Sequence, residues 1–386
     1  MIDRVLFILT SLLITIGIIF SYSLSSYTVL LYEYADYHFF LRQLLVGGFS
    51  IFIMWYIARF NPDKIVNKLG FALFFLFLFL MIIMPFLPDS LVTSAGGANR
   101  WIRLPFFSLA PVEFFKIGFV YFLAWSFSRK FTYQSGKPLR EEILIFLPYA
   151  GIFFLIVALI AIMQNDLGQV VLLGVTLSLM VLFAGSSVRL FISLIIGAII
   201  IAIFAIVFSS HRVIRIKLWW ANIQNYILSF LPDGVANSLK VENLPEPYQI
   251  YYSLNAIKNG GIFGEGIGNS IFKLGFLSEV HTDFVLAGIA EELGFLGVLG
   301  VTTIIVLIVH RIFKIANRSE SKIYYLMSLG VGLLIAFSFL INAFGISGII
   351  PIKGIAVPFL TYGGSSLLAI SIGVGIVLSI SRKSKI

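Results

Sequence analysis

The chain has 386 residues, of which 59% are hydrophobic and only 12% are charged. Together with a mean hydropathy of +1.02, this composition lies far outside the range of soluble domains and predicts an integral membrane protein. The net charge is +9, but most basic residues fall in short loops between apolar segments. We therefore predict contacts with membrane lipids and no nucleic-acid partner. The chain has no cysteine, which excludes disulfides, thiolate metal sites and cysteine nucleophiles.

Ten apolar segments are long enough to cross about 30 Å of hydrocarbon. We predict an all-α polytopic membrane protein, a single domain over 1–386, with about ten transmembrane helices at 5–24, 39–58, 69–87, 107–128, 143–163, 167–184, 188–209, 283–309, 323–343 and 357–380. Basic residues concentrate at both termini and in alternate loops, so the positive-inside rule places these parts in the cytoplasm. The longest opposite loop, 210–282 between helices 7 and 8, is predicted to be extracytoplasmic.

Unusual polar residues fall mostly at the predicted outer ends of the helices. Asp283 lies where the eighth helix enters the membrane, and Asp166 lies in the outer turn "MQNDLGQ". Because charge at membrane depth is costly and often marks a site, we predict one outward-facing cavity shared by several segments. The other residues expected around it are Arg100, Arg103, Glu113, Lys116, Asn342, Lys353, Ser365 and Ser366.

Some of these residues also have a structural interpretation. Glu113 and Lys116 are three residues apart and could neutralise each other on one face of a helix. Asp166 is a suitable N-cap for the sixth helix, which is the interpretation we favour for it. Asp283 could cap the eighth helix in the same way, although we favour a functional role there.

Three further features of the second half of the chain have predicted structural roles. "HRVIRIKLWW" alternates basic with apolar residues and suits an anchor in the membrane interface. "GGIFGEGIGNS" has a G-x-G spacing but follows no strand, so its glycines predict tight turns and not a nucleotide site. Glu291 and Glu292 lie near the middle of the membrane and could tie helices together through hydrogen bonds.

A series of motifs runs along the chain: "GGANRWI", "PVEFFK", "QNDLG", "GIGNSIFKLGFLSEVHTDFVLAGIAEELGFLG" and "IIPIKGIAVPFLTYGGSS". In order and spacing they resemble the SEDS family (shape, elongation, division and sporulation), over nearly the whole chain. "YHFFLRQ" and "GNSIFK" are more similar to the division members than to the elongation members. The departures from the family pattern, at Asn165, Ser278 and Thr361, change turn residues and remove no charged group.

The resemblance implies a glycosyltransferase that polymerises lipid II into peptidoglycan strands on the outer face of the bacterial cytoplasmic membrane, at the division septum. It implies that the enzyme also binds the growing polyprenyl-pyrophosphate-linked glycan. Its implied protein partners are a class B penicillin-binding transpeptidase and other proteins of the division machinery. The essential aspartate of the family falls on Asp283. Other motif positions fall on Arg100, Trp101, Glu113, Lys116, Asp166, His281, Lys353, Ser365 and Ser366.

The chemistry of such a reaction suits these residue types. An acceptor hydroxyl must lose a proton, for which Asp283 is the predicted general base. The pyrophosphate leaving group already carries charge, so cations can replace the acid that a glycosidase needs. Candidate cations are Arg100, Arg103, Lys116 and Lys353. No metal ligands are predicted, and the sequence does not decide whether a divalent cation assists.

The alternative function is a transporter that carries lipid II across the membrane. It would share the need for a polar cavity with room for a pyrophosphate. It would also need a polar path to the cytoplasmic side, and few polar residues apart from Glu291 and Glu292 occur in the inner halves of the predicted helices.

Overall fold

The structure is a computed structural model that describes residues 2–88, 90–95, 98–104, 107–131, 138–208, 210–241, 248–277, 280–352 and 354–384. Its helices are α1 Arg4–Leu24, α2 Ser26–Leu31, α3 His38–Ala58, α4 Pro62–Ile83, α5 Pro111–Lys130, α6 Leu139–Val157, α7 Leu167–Phe183, α8 Val188–Val207, α9 Ser210–Leu228, α10 Asp233–Leu239, α11 Tyr248–Gly260, α12 Val285–Asn317, α13 Lys322–Ile346 and α14 Gly364–Ser381. A 3-10 turn, Met84–Phe86, follows α4, and a π-helical turn, Ala158–Met163, follows α6.

A helix lies on each of the ten predicted membrane segments, namely α1, α3 to α8 and α12 to α14. In the described part of the chain, seven helices are long and apolar enough to cross a membrane by length and composition, and α7 and α8 are shorter apolar helices. The remaining helix, α5, carries more charge but packs against α4, α13 and α14 in the centre of the bundle. Its Phe115, Tyr121 and Phe127 are fully buried. The polytopic fold is therefore as predicted.

The boundaries of three helices differ from the prediction by seven residues or more at one end. Helix α4 begins at Pro62, seven residues early, because the Asn61 side chain accepts a hydrogen bond from the backbone N–H of Asp63 and caps it. Helix α14 begins at Gly364, seven residues late, and the preceding "VPFLTYG" is not helical. Helix α12 runs on to Asn317 and is broken at Gly294, where φ is 68° and ψ is −166°.

The connection between α4 and α5 contains strands, which the all-α prediction did not include. The strands β1 Val92–Ala95, β2 Ala98–Arg103 and β3 Ser108–Leu109 form an antiparallel sheet in that order. Ile102 pairs with Val92 on one side and with Leu109 on the other. Ile102 and Val92 also pack with Met84 in a small apolar cluster under the sheet.

The predicted outer loop 210–282 contains the helices α9, α10 and α11. The indole N–H of Trp219 donates to the carbonyl of Gly348 at 2.8 Å, and that of Trp220 donates to Leu239 at 2.9 Å. Both tryptophans are thus anchored on the protein itself, while the position of α9 in the membrane interface remains a prediction. The glycines at 261, 264, 266 and 268 have positive φ, which confirms the tight turns expected in "GGIFGEGIGNS".

The loops that the sequence places in the cytoplasm meet at one end of the bundle. The backbone N–H of Asp3 donates to Ser381 Oγ at 3.1 Å, so the two ends of the chain are adjacent. Asp63 pairs with Lys383, and Lys322 binds the carbonyl of Phe131. The residues predicted to face outward lie at the opposite ends of the same helices.

Candidate active site

A cavity of about 610 Å³ lies at the predicted outer end of the bundle. Its walls come from the start of α3, the sheet, the starts of α5 and α7, the segment before α12 and the segment before α14. The predicted site residues that line it are Arg100, Trp101, Glu113, Asp166, Asp283, Ser365 and Ser366. Residues far apart in sequence therefore surround one space, as expected from their shared position at the outer ends of the helices.

Asp283 belongs to a short segment that is held by its backbone. The side-chain amide of Asn342 in α13 donates to the carbonyl of Asp283 at 2.7 Å and to that of Ile355 at 2.8 Å. The hydroxyl of Thr361 donates to the carbonyl of Thr282 at 3.1 Å. The cap position of α12 is occupied by Phe284, so the alternative interpretation of Asp283 as an N-cap is wrong.

Gly354 approaches the Asp283 carboxylate closely. Its φ is +60°, a conformation that favours glycine, and a Cβ on it would lie 2.9 Å from Asp283 Oδ2. A side chain at this position would therefore push on the carboxylate. The preceding residue, Lys353, was predicted as a site residue and lies outside the described residues.

Asp166 also lines the cavity and caps α7. Its carboxylate accepts a hydrogen bond from the backbone N–H of Gln169 at 3.2 Å, which confirms the favoured N-cap interpretation. Burial raises the pKa of Asp166, and the positive charge of Arg100 opposes that rise. Arg100 itself donates to the carbonyls of Gln164 and Asn165, each at 3.0 Å, and so fixes the turn that carries Asp166.

Glu113 and Lys116 form an ion pair of 2.9 Å in the first turns of α5, as the neutralisation interpretation predicted. Gln169 Nε2 also donates to Glu113 Oε1 at 3.0 Å. Lys116 lies one turn deeper than Glu113 and lines a small adjoining pocket instead of the main cavity. The prediction that Lys116 lies in the same cavity is therefore corrected, since Lys116 lies deeper along α5 and lines the smaller pocket, while Glu113 borders both.

Three other predicted residues, Arg103, His281 and Asn342, are not part of the cavity wall. Arg103 is exposed and donates to the hydroxyl of Thr93 across the hairpin at 2.8 Å. His281 is buried, and its ring packs edge-on against Phe39 with centroids 5.0 Å apart. The prediction that Arg103 and Asn342 lie in the shared cavity is thus corrected, because Arg103 binds the sheet surface and Asn342 is buried and donates to the Asp283 carbonyl. His281, a motif position of the resemblance, lies behind the wall.

The serines of "TYGGSS" have backbone contacts that explain their place in the wall. Ser365 Oγ accepts a hydrogen bond from the N–H of Ala110 at 2.9 Å and donates to the carbonyl of Ser108 at 3.0 Å. Ser366 Oγ donates to the carbonyl of Gly363 at 3.0 Å. Ser365 therefore joins the start of α14 to the start of α5.

The structure adds cavity residues that sequence reasoning missed. They are Arg42 and Gln43 in α3, Gln164 and Gln169 around the Asp166 turn, and Tyr362 before α14. Arg42 supplies a second cation and interacts with the Tyr362 hydroxyl. The available signal was an Arg-Gln pair at the outer end of an apolar helix, the same kind of signal that indicated Glu113.

The cavity thus combines three carboxylates, from Asp283, Asp166 and Glu113, with the guanidinium groups of Arg42 and Arg100. Such a site can accept a proton and can bind an anionic group. Within the ranges that the structure describes, no cluster of three or more His, Cys, Asp or Glu side chains is arranged to hold a metal ion. Fold and site together define a multi-pass helical membrane protein with a charged cavity at one end.

Comparison with known proteins gives the family. Residues 3–386 match the FtsW/RodA/SpoVE family, described as cell cycle proteins. The chain is 53% identical over 99% of both chains to a probable peptidoglycan glycosyltransferase FtsW of Helicobacter pylori. It is 32% identical to the Bacillus subtilis protein of the same name, covering 96% of this chain and 88% of that one. The chain therefore belongs to the FtsW/RodA/SpoVE family, the SEDS family that its motifs resemble.

Solved structures of two similar proteins share the fold. One is a chain of a peptidoglycan synthase complex, whose structure concerns the coordination of polymerization and crosslinking. Its TM-score is 0.71, its sequence identity is 21%, and the match covers 99% of this chain and 98% of that chain. The other is the rod shape determining protein RodA of Thermus thermophilus, with a TM-score of 0.63, 21% identity and coverage of 99% and 97%.

Proposed function

We propose that this chain is a peptidoglycan glycosyltransferase that polymerises lipid II on the outer face of the bacterial cytoplasmic membrane. The observation that carries the proposal is the cavity itself, which places the Asp283 carboxylate and two arginines around one space at the predicted outer end. The names of the 53% and 32% identical relatives support the same activity.

In the proposed reaction, Asp283 accepts the proton of the acceptor sugar hydroxyl. The hydroxyl oxygen forms the new bond to the anomeric carbon of the donor, and the bond from that carbon to the pyrophosphate oxygen breaks. The leaving group departs as polyprenyl pyrophosphate, so no acid needs to protonate it. Arg42 and Arg100 are the cavity cations that would bind the pyrophosphate.

This assignment of cations changes the one made from sequence. Lys116 is paired with Glu113 at 2.9 Å, and Arg103 binds Thr93 outside the cavity wall. The apolar part of the wall, with Leu45 73% exposed and Phe107 50% exposed, is suited to contact with the polyprenyl chain. The sugars of the substrate would then contact the polar part of the wall, and its polyprenyl chain would contact the apolar part.

A carrier of lipid II is the alternative function. The described residues that line the cavity come from the predicted outer ends of the helices and include none from the loops predicted to be cytoplasmic. Glu291 and Glu292, the acids that a polar path would have used, bind groups of the protein instead. Both observations favour the polymerase.

A role in cell division with a class B penicillin-binding transpeptidase is a finer part of the proposal. The relatives named FtsW support the division role, and the peptidoglycan synthase complex that contains a similar fold supports a cross-linking partner. In the described part of the chain, the predicted outer segments are short helices and a three-stranded sheet. Cross-linking would therefore require a second protein, and the growing glycan and other division proteins would be further partners.

The test of the proposal is polymerisation by the purified protein. Labelled lipid II is supplied in detergent, where a membrane no longer separates two sides, and glycan products are resolved by gel electrophoresis. A polymerase makes long strands and releases polyprenyl pyrophosphate, whereas a carrier leaves lipid II unchanged. Absence of polymer from a folded, lipid-II-binding preparation, with and without a co-purified transpeptidase, would refute the proposed function.

A further inference from the structure

A buried cluster of charges lies on and beside α12, outside the cavity. Glu291 is 1% exposed, Glu292 is 0% exposed and Lys273 is 4% exposed. None of the three lines the cavity described above. Three ionisable groups buried this completely require an explanation, because burial of a charge is costly unless it is well paired.

Glu292 forms the ionic part of this cluster. Lys273 Nζ lies 2.8 Å from Glu292 Oε1, and the hydroxyl of Ser23 in α1 donates to the same carboxylate at 2.6 Å and 2.7 Å. Lys273 Nζ also donates to the carbonyl of Gly268 at 2.8 Å. The pair therefore joins α1, the segment after α11 and the first part of α12.

Glu291 fixes the same segment through neutral donors. Its Oε1 accepts from the backbone N–H of Ile271 at 2.8 Å and from Asn259 Nδ2 at 3.0 Å, and its Oε2 accepts from the hydroxyl of Ser270. These contacts confirm the prediction that the two glutamates tie elements together. They also place Lys273 in a segment that is held firmly on α12.

Along the sequence, Asp283 lies between the two residues that form the ion pair. Lys273 precedes Asp283 by ten residues, and Glu292 follows it by nine. The pair thus closes a loop of chain that consists of the segment before α12 and the first two turns of α12, and Asp283 lies near the middle of this loop. The tip of that loop is held separately, by Asn342 on the Asp283 carbonyl and by the N–H of Tyr362 on the His281 carbonyl at 3.0 Å.

Stability alone does not account for an ion pair at the base of this loop. Apolar side chains of similar volume in place of a buried pair are often neutral or stabilising, whereas loss of one partner leaves an unpaired buried charge. Unlike an apolar contact, an ion pair fixes the distance between its two groups and the direction in which they face each other. A shift of about 1 Å in a reacting group can lower turnover about a hundredfold.

We propose that Lys273 and Glu292 are positioning residues, whose ion pair sets where the base of the loop lies and thereby where the Asp283 carboxylate stands in the cavity. This inference rests on the proposed function of Asp283 as the general base. The two residues touch no substrate, and their effect reaches the reaction only through the loop.

The test separates positioning from stability by neutralising both partners together. In Lys273→Met/Glu292→Gln no buried charge is left unpaired, and the new amide at position 292 can still accept from the Ser23 hydroxyl, so the thermal midpoint should stay near that of the wild type. We expect kcat for glycan polymerisation to fall about 10- to 100-fold, with KM for lipid II within about twofold of the wild type. Wild-type kcat in a stable double variant would overturn the proposal.

A second variant covers the case in which the double variant does not fold. Glu292→Asp keeps the charge pair but shortens the side chain by one methylene, which should draw the loop inward and lower kcat. Unchanged kcat in Glu292→Asp would also overturn the proposal. The matched control is Glu142→Gln, which alters another buried carboxylate, bound to Ser187 in the α8 cap, and should leave kcat as in the wild type.

A readout that needs no turnover distinguishes this inference from the proposed function. Backbone hydrogen exchange in the peptide 280–286 should be at least about tenfold faster in the double variant than in the wild type. Faster exchange with no polymer from the wild-type protein would refute the polymerase and leave the positioning of the loop intact. If the wild-type protein polymerises lipid II, unchanged exchange and unchanged kcat in the double variant would refute the positioning role alone.

Discussion

The two ends of the helix bundle use the same kinds of charged residue in opposite ways. At the predicted outer end, Asp283 and Arg100 line a cavity of about 610 Å³. At the predicted cytoplasmic end, charged side chains bind one another or loop carbonyls directly, as in the pairs Lys383 with Asp63 and Arg382 with the carbonyl of Arg59. Charged groups at the outer end therefore border a space as well as fixing turns, as Arg100 does, whereas these charged groups at the other end join loops.

This difference indicates a sided protein. Basic residues in the loops predicted to be cytoplasmic are expected to orient the helices during insertion, and some of them hold those loops together in the structure. At the predicted outer end, Asp283 is held through its backbone and Arg100 and Glu113 are held through neighbouring groups, and all three border the cavity. The following variants test this contrast, from the largest expected effect to the smallest.

The largest effect is expected for Asp283→Asn. The change keeps the size of the side chain but removes the base, so polymerisation of lipid II by the purified variant should fall about 10²–10⁴-fold or below detection. The thermal midpoint should change little, because asparagine keeps the size and most of the hydrogen-bonding capacity of aspartate and position 283 is not the cap of α12.

Asp283→Glu provides the matched control for this variant. It keeps the charge but moves it by about one methylene, and it should lose activity through misplacement. Full activity in a stable Asp283→Asn protein would show that Asp283 is not the base, and Glu113 or Asp166 would become the candidate.

A smaller loss of activity is expected for Gly354→Ala. The new Cβ would lie 2.9 Å from Asp283 Oδ2 and would displace the carboxylate, in a backbone conformation with φ of +60°. Gly348→Ala is the control, since Gly348 has φ of +75° but the three atoms nearest to its Cβ, from Asn222, Ile250 and Leu254, would lie at 3.4–4.0 Å.

Both glycine variants should lose about 1–2 kcal/mol of stability through backbone strain, measured by thermal unfolding in detergent. Only Gly354→Ala should lose turnover beyond what its stability explains. Equal turnover in the two variants would contradict the close approach of Gly354 to the reacting group.

The two arginines of β2 give a sharper comparison within a few residues of sequence. Arg100 lines the cavity, where we propose that it binds the pyrophosphate, and hydrogen bonds to a charged group contribute about 1.5–3 kcal/mol. Arg100→Ala should therefore lower kcat/KM for lipid II about 10- to 100-fold.

Arg103→Ala should change the same quantity by less than about twofold, because Arg103 is exposed and binds Thr93 away from the cavity. Steady-state kinetics of the two purified variants measure the difference. Equal losses would mean that both arginines contact the substrate and that the original prediction from sequence was right about Arg103.

The smallest effect is expected at the cytoplasmic end. Asp63→Asn removes the pair with Lys383, whose side chains are 52% and 47% exposed, and exposed pairs contribute at most about 1 kcal/mol. We expect wild-type polymerisation and a thermal midpoint within a few degrees of the wild type. A large loss of turnover would show that the two ends of the bundle are coupled.

Individual residues show how far sequence reasoning reached into the site. Asp283 and Asp166 were found because a carboxylate at the end of an apolar segment is unusual. Arg42 was missed although it lies in a comparable position, since "YHFFLRQ" served only to identify the branch of the family. Lys116 was assigned to the cavity because it lies near the predicted outer end of its helix, and that position does not show which of two adjoining pockets it lines.

The sequence by itself determined the membrane class, the ten helical segments and their predicted orientation, because hydropathy and the charge of flanking loops are local properties that each segment carries alone. Tertiary structure decided which polar groups share a space. Arg100 and Arg103 lie three residues apart on β2, and only the strand, with its alternating side chains, separates one from the other. Likewise, tertiary packing decided that Glu292 binds Lys273 and Ser23. The partner of a buried charge depends on which other segments the fold brings within reach.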